Sequence, residues 1–126
     1  MQCSVTVVNL IHDIETETDI PVCKVLPGCS WREKRRVTGG DPARVVHVRL
    51  PPAAGYLLYA QWAKLSPEEK AAHWTLKRGG KLIKGVVSTL TEAEFAALEK
   101  THTCCTVAEF SDNREPLLPH FHVEGS

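Results

Sequence analysis

The sequence predicts a mainly β (α+β) chain: a small β-barrel or sandwich of six to seven strands with one or two short helical insertions. Three observations carry this reading. Segments rich in β-branched residues, several of them alternating apolar and polar, recur along the chain. Turn signals separate them about every 8–12 residues. Two short segments carry helix-start signatures instead.

The elements follow in order. "SVTVVNLIHDI" is a first strand, and the acidic, Thr-rich "ETETD" after it is a loop. "IPVCKVLPGCSWREKRRV" is extended but interrupted by Pro27-Gly28, a turn dipeptide, so two short strands are expected. "TGGDP" makes a turn. In "ARVVHVRLP", Val46, Val48 and Leu50 share one face, Val45, His47 and Arg49 share the other, and Pro51-Pro52 ends the strand.

"SPEEKAAH" opens a helix, with Ser66 as N-cap, Pro67 at the first helical position and Glu69 where a capping box wants its acid. "TEAEFAALEK" repeats the box with Thr91 and Glu94, and Phe95 and Leu98 form an i, i+3 apolar stripe. Between these two, "HWTLKRGGKLIKGVV" reads as a hairpin turning at Gly79-Gly80. "TCCTVAEF" and "LLPHFHVEG" close the chain as two strands joined by "SDNREP". A hairpin centred near Asn113-Arg114 puts Val107 opposite Phe121 and Cys105 opposite Val123 on an inner face. Its outer face then pairs Ala108 with His120, Thr106 with His122 and Cys104 with Glu124.

At 126 residues and 43% hydrophobic, the chain suits one domain spanning 1–126, burying roughly two-thirds of its unfolded surface. No stretch approaches the roughly 20 apolar residues of a spanning helix, and "MQCSVTVVNLIHD" lacks the flanks of a signal peptide. A soluble, intracellular product is expected, without a membrane partner. Its five cysteines are then expected as thiols, packed as small hydrophobes.

The formal net charge is zero but unevenly spread. Residues 24–84 hold 13 Lys/Arg against four acids, a net +9; the flanks hold 11 acids against Lys100 and Arg114, a net −9. Such asymmetry can orient a molecule towards oppositely charged partners or towards copies of itself, although folding can also intermix the blocks on one surface.

Candidate chemistry is sparse. His120, His122 and Glu124 share a strand face, but a zinc site needs about four converging N/S ligands, and the expected register leaves Cys104 diagonal to both imidazoles. Cys23 and Cys29 lack C-x₂-C spacing, and the vicinal Cys104 and Cys105 point to opposite faces of a strand. No motif places a base beside a thiol. "KRGGKLIKG" is no phosphate loop, because Val86-Val87 follow Gly85 where Lys and a hydroxyl are required. Neither a metal, a cofactor nor an enzymatic activity is expected. "WREKRR" sets Arg32, Lys34 and Arg36 on one strand face, a row that can meet DNA phosphates or simply guard a solvated edge.

In order, "VTVVNLI", "GCSW" at 28–31, "VVHVRLP", "HWTLKRGGKLIKG" and "LPHFHVEGS" resemble the small minor capsid or head-tail connector (head completion) proteins of tailed bacteriophages and prophages. Those relatives share a "GD-x-I-x-x-G"-like hairpin and a terminal "PHF/W-x-V-x-G-K"-like strand. This sequence has Gly80 where Asp is common and Ser126 where Lys is common.

The resemblance implies a small β-barrel that forms a ring at the portal or its adaptor, completes the head, receives the tail and touches packaged DNA non-specifically. It implies a virion protein of the head-tail junction, made in the bacterial host cytoplasm. Arg32, Lys34, Arg35, Arg36, Lys77, Arg78, Lys81 and Lys84 are the candidates for DNA-channel or inter-ring contacts. The alternatives are a nucleic-acid-binding β-barrel, for which only Trp31 lies beside a basic run, a tail-terminator or tail-completion protein, and a metal-stabilised domain or metal-dependent enzyme.

Overall fold

Two sheets share two strands. The computed structural model describes residues 2–38, 41–113 and 120–126; the side chains of 35–43 and 112–120 lie outside that description, and with them Gly39-Gly40 of the expected "TGGDP" turn. One shared strand, β2 (Thr18–Thr38), pairs with β1 (Cys3–Asp13) along its first half and with β3 (Asp41–Leu50) from Ser30 onward.

The expected break at Pro27-Gly28 is a β-bulge within one continuous strand. Between the pairs Val5↔Leu26 and Cys3↔Cys29, Pro27 and Gly28 face the single residue Ser4, and Gly28 takes φ +72°. Glycine accepts that conformation at no steric cost, and the extra residue bends the strand towards its second partner.

The remaining strands are β4 (Lys81–Lys84), β5 (Cys104–Asn113) and β6 (His120–Gly125). All six close into a barrel in the order β1-β2-β3-β6-β5-β4, every neighbouring pair antiparallel. Alternation sorts β3 as the sequence predicts, with Val46, Val48 and Leu50 fully buried. Phe121 and Val123 of β6 are buried too.

The expected register of the last hairpin is corrected. Asn113 lies opposite His120, Phe110 opposite Val123 and Val107 opposite Gly125. β5 runs on into "SDN", and a bulge between Val107 and Glu109 re-phases it, so that Phe110 also packs against the core. At the junction the β6 backbone comes so close that a Cβ on Gly125 would stand 2.6 Å from the Thr106 carbonyl oxygen.

A second correction concerns "HWTLKRGGKLIKG". The turn exists, with Gly80 N–H donating to the Lys77 carbonyl at 3.0 Å, but its first arm is no strand. Trp74 and Leu76 are drawn into the barrel instead, where Trp74 and Tyr56 pack edge-on at 4.9 Å and Tyr56 lies 4.5 Å from Phe121. β4 takes its partners from β1 and β5.

Among the described residues, four short helices replace the one or two expected: α1 (Tyr59–Trp62), α2 (Pro67–Ala72), α3 (Glu92–Ala96) and α4 (Leu98–Thr101). Ser66 Oγ accepts from Glu69 N–H at 3.3 Å, and Thr91 and Glu94 complete a reciprocal box at 3.1 and 3.0 Å. Leu58 caps α1 without a polar side chain, so no start signature announced that helix.

Two apolar clusters result. The inner one fills the barrel; the outer one joins Val8, Ile83 and Cys104 on the outside of β1, β4 and β5 to Leu90, Phe95 and Leu98 of the α3–α4 layer. Thr6, fully buried on that outer side, donates to the Gly85 carbonyl at 2.8 Å and accepts from Val87 N–H at 3.0 Å, pinning the segment that leads into α3.

Candidate functional site

Among the described residues, nothing covers the outer face of β2, β3 and β6 in this way. Register sets Ser30 beside Arg49, Arg32 beside His47, and Arg49 beside His122, all on the face opposite the buried valines. Arg32, Lys34 and Arg49 are exposed there. Together with Ser30, His47 and His122 they line an open depression of about 400 Å³. The His47 and His122 rings are 5.5 Å apart and tilted by 32°. Towards β5 the face turns acidic, with Glu124 opposite Glu109.

None of Arg32, Lys34 and Arg49 forms an ion pair with a carboxylate among the described residues. Three cations in so shallow a basin repel one another and attract any anionic group that can reach them.

Glu33, on the opposite side of β2, binds Arg44, whose Nη1 donates to the Cys104 carbonyl at 2.8 Å. That hydrogen bond from Arg44 holds the Glu33 carboxyl below the usual carboxylate range. This arrangement fastens β3 to β5 at one barrel end.

A second groove, of about 180 Å³, lies over β1 and includes Tyr59, Trp62, Lys77, Arg78, Lys81 and Phe95. Lys77 Nζ stands 5.0 Å from the centroid of the Tyr59 ring. Behind it, Asn9 holds the Thr75 backbone, donating to its carbonyl at 2.9 Å and accepting from its N–H at 3.1 Å.

The eight candidate cations therefore divide. Arg32 and Lys34 share the open depression. Lys77, Arg78 and Lys81 line the second groove, but Lys81 is engaged by Glu99 at 3.2 Å and by Thr106 Oγ1 at 2.6 Å. Lys84 is exposed at the end of β4, opposite Val5. The side chains of Arg35 and Arg36 lie outside the described residues, as does that of His120.

Sequence reasoning missed Arg49, His47 and His122 as companions of Arg32. Alternation in "VVHVRL" put His47 and Arg49 on an outer face, but which strand lies beside them is a matter of tertiary register.

A family model described as a family of unknown function, DUF6751, matches residues 1–126. The chain belongs to that family. No curated protein matches this DUF6751 chain, and no solved structure does.

Its thiols behave as packing groups. Burial pushes Cys105 up to about 12 and Cys29 up to about 11, and raises Cys23 and Cys104. Cys104 and Cys105 enter different clusters, as their vicinal placement in a strand predicts. Among the described residues of this DUF6751 chain, no three His, Cys, Asp or Glu side chains converge as metal ligands, and no helix is long and apolar enough to cross a membrane.

Proposed function

We propose that this chain is a non-enzymatic structural protein of the neck of a tailed-phage virion, assembling as a ring at the portal or its adaptor to complete the head and join the tail. One observation carries the reading. The segments whose order resembles the connector proteins are largely those that build the barrel: "VTVVNLI" in β1, "GCSW" beginning within the β2 bulge, "VVHVRL" in β3, "KLIK" as β4 and "HFHVEG" as β6. A resemblance that rests on element order is supported when those elements form one architecture.

The open cationic face suits the second demand of such a role, contact with a neighbouring subunit, an adjacent ring or the phosphates of packaged DNA. The partners are then the portal or adaptor, tail proteins and further copies of the chain. The test is inactivation of the gene in its own prophage, followed by electron microscopy of the lysate. Heads that have lost DNA beside free tails are expected; joined, infectious particles at normal yield would overturn the reading. Heads that keep their DNA beside overlong tails would reassign the ring to tail termination. Charge reversal of Arg35 and Arg36 should lower DNA retention in particles, and an unchanged yield would count against their role.

A nucleic-acid-binding barrel is the second reading, favoured by the groove where Lys77 meets the half-exposed Tyr59 ring with Arg78 nearby. Aromatic faces beside cations are what single strands require. A salt-dependent mobility shift with single-stranded DNA, lost in Tyr59→Ala, is its expected signature; no shift at low salt removes it.

A further inference from the structure

The search for an occupant of the cationic depression leads back along the same strand. The β1–β2 hairpin ends in residues 14–17, and its tip carries Asp13, Glu15, Glu17 and Asp19 with no Lys or Arg between them. Asp19 is engaged by His12 at 3.1 Å, and Asp13 accepts the Glu15 N–H at 3.0 Å. No Lys or Arg side chain among the described residues pairs with any of the four. Ile14, at the apex, is 82% exposed, and Ile20 and Leu10 beside it are 42% and 39% exposed.

So, among the described residues, one end of the hairpin presents the Glu15 and Glu17 carboxylates without a cationic partner around bare apolar side chains, while the β2–β3–β6 face presents Arg32, Lys34 and Arg49 without a carboxylate partner. The two cannot meet within one molecule. Both are carried by β2, and from Asp19 to Arg32 the strand is continuous, a contour of roughly 40 Å at about 3.3 Å per residue. A strand bent once by a bulge does not fold back on itself.

We propose that the acidic tip of the β1–β2 hairpin docks into the Arg32/Lys34/Arg49 depression of a second copy of the chain. The two surfaces differ, so the contact is heterologous: it leaves each copy with one tip and one depression unused, and repetition yields a closed ring or an open filament. Glu15 and Glu17 face the guanidinium and ammonium groups, and Ile14 is covered by the neighbour's strand surface. This deepens the ring reading and rests on it.

The test uses the full chain at low ionic strength, as an equal mixture of ¹⁴N- and ¹⁵N-labelled protein treated with a zero-length carbodiimide. Mixed-label crosslinks between Glu15 or Glu17 and Lys34 are expected. The paired reversals Glu15→Lys with Glu17→Lys, and Arg32→Glu with Lys34→Glu, should each weaken self-association at least tenfold in sedimentation. Mixing the two reversed proteins should restore it, since each tip then meets a depression of opposite sign.

Crosslinks confined to other surfaces, or association indifferent to both reversals, would overturn the docking and leave the ring reading standing. Absence of any mixed-label crosslink together with duplex DNA binding that Arg32→Glu abolishes would assign the depression to nucleic acid instead. Intact particles after loss of the gene would remove the ring reading itself.

Discussion

The barrel has two outer faces built on opposite plans. On β1, four consecutive residues, Val5, Thr6, Val7 and Val8, are all buried, because the interior takes Val5 and Val7 while the α3–α4 layer and its leading segment cover Thr6 and Val8. On β3, burial strictly alternates over Val46–Leu50, and the outward residues His47 and Arg49 face an open depression. A strand covered on both sides reads as an unbroken apolar run, and one with a free face reads as alternation. The free face therefore marks where the molecule can still bind something, and the covered face marks where it has already closed.

If that contrast is right, damage to the covered face costs stability and change on the open face does not. The largest effect is expected for Leu98→Ala, which empties a buried site under α4 and should lower unfolding free energy by about 2–5 kcal/mol in denaturant titration. Thr6→Val keeps the shape but orphans the Gly85 carbonyl and the Val87 N–H, and should cost about 1–3 kcal/mol, with faster hydrogen exchange at Val87. Thr91→Ala removes half of the capping box that starts α3 and should cost about 1 kcal/mol.

A smaller effect belongs to the boundary between the faces. The depressed Glu33 carboxyl contributes stability that is present above the unfolded carboxylate pKa and lost as pH falls through its lowered folded value. Both partners are more than a third exposed, so solvent screening holds the contribution below about 1 kcal/mol. Glu33→Gln should flatten that acid limb slightly. Smallest of all, Arg32→Ala and Lys34→Ala should leave the unfolding free energy within about 0.5 kcal/mol of the parent. A large loss at either position would break the comparison, because it would show the open face to be structural.

Much of the fold was legible where local chemistry decided it. The phase of β3, the buried pair Phe121 and Val123, the turn before Lys81 and both polar helix caps follow from alternation, glycine and Ser/Thr placement. What failed was set by distant partners. Pro27-Gly28 marks a bend whether the strand stops or continues, and only the arrival of β3 beside Ser30 makes it continue. The β5–β6 register depends on a bulge after Val107, which no residue type in "TVAEF" announces. Likewise Arg32 and Lys34 were visible as one strand face, whereas the basin they form with Arg49 and His122 exists only because β3 and β6 close beside them.

Cys104 and Cys105 share a peptide bond and lie on opposite sides of the barrel wall, one beneath the helical layer and the other inside. A thiol reagent thus reads two events with one dipeptide. Loss of the helical layer alone bares Cys104 while its neighbour stays sealed, and simultaneous labelling of both means that the wall itself has opened. The order in which adjacent sulfurs disappear is a clock built into the sequence, one that separates the unfastening of an outer layer from the collapse of what lies under it.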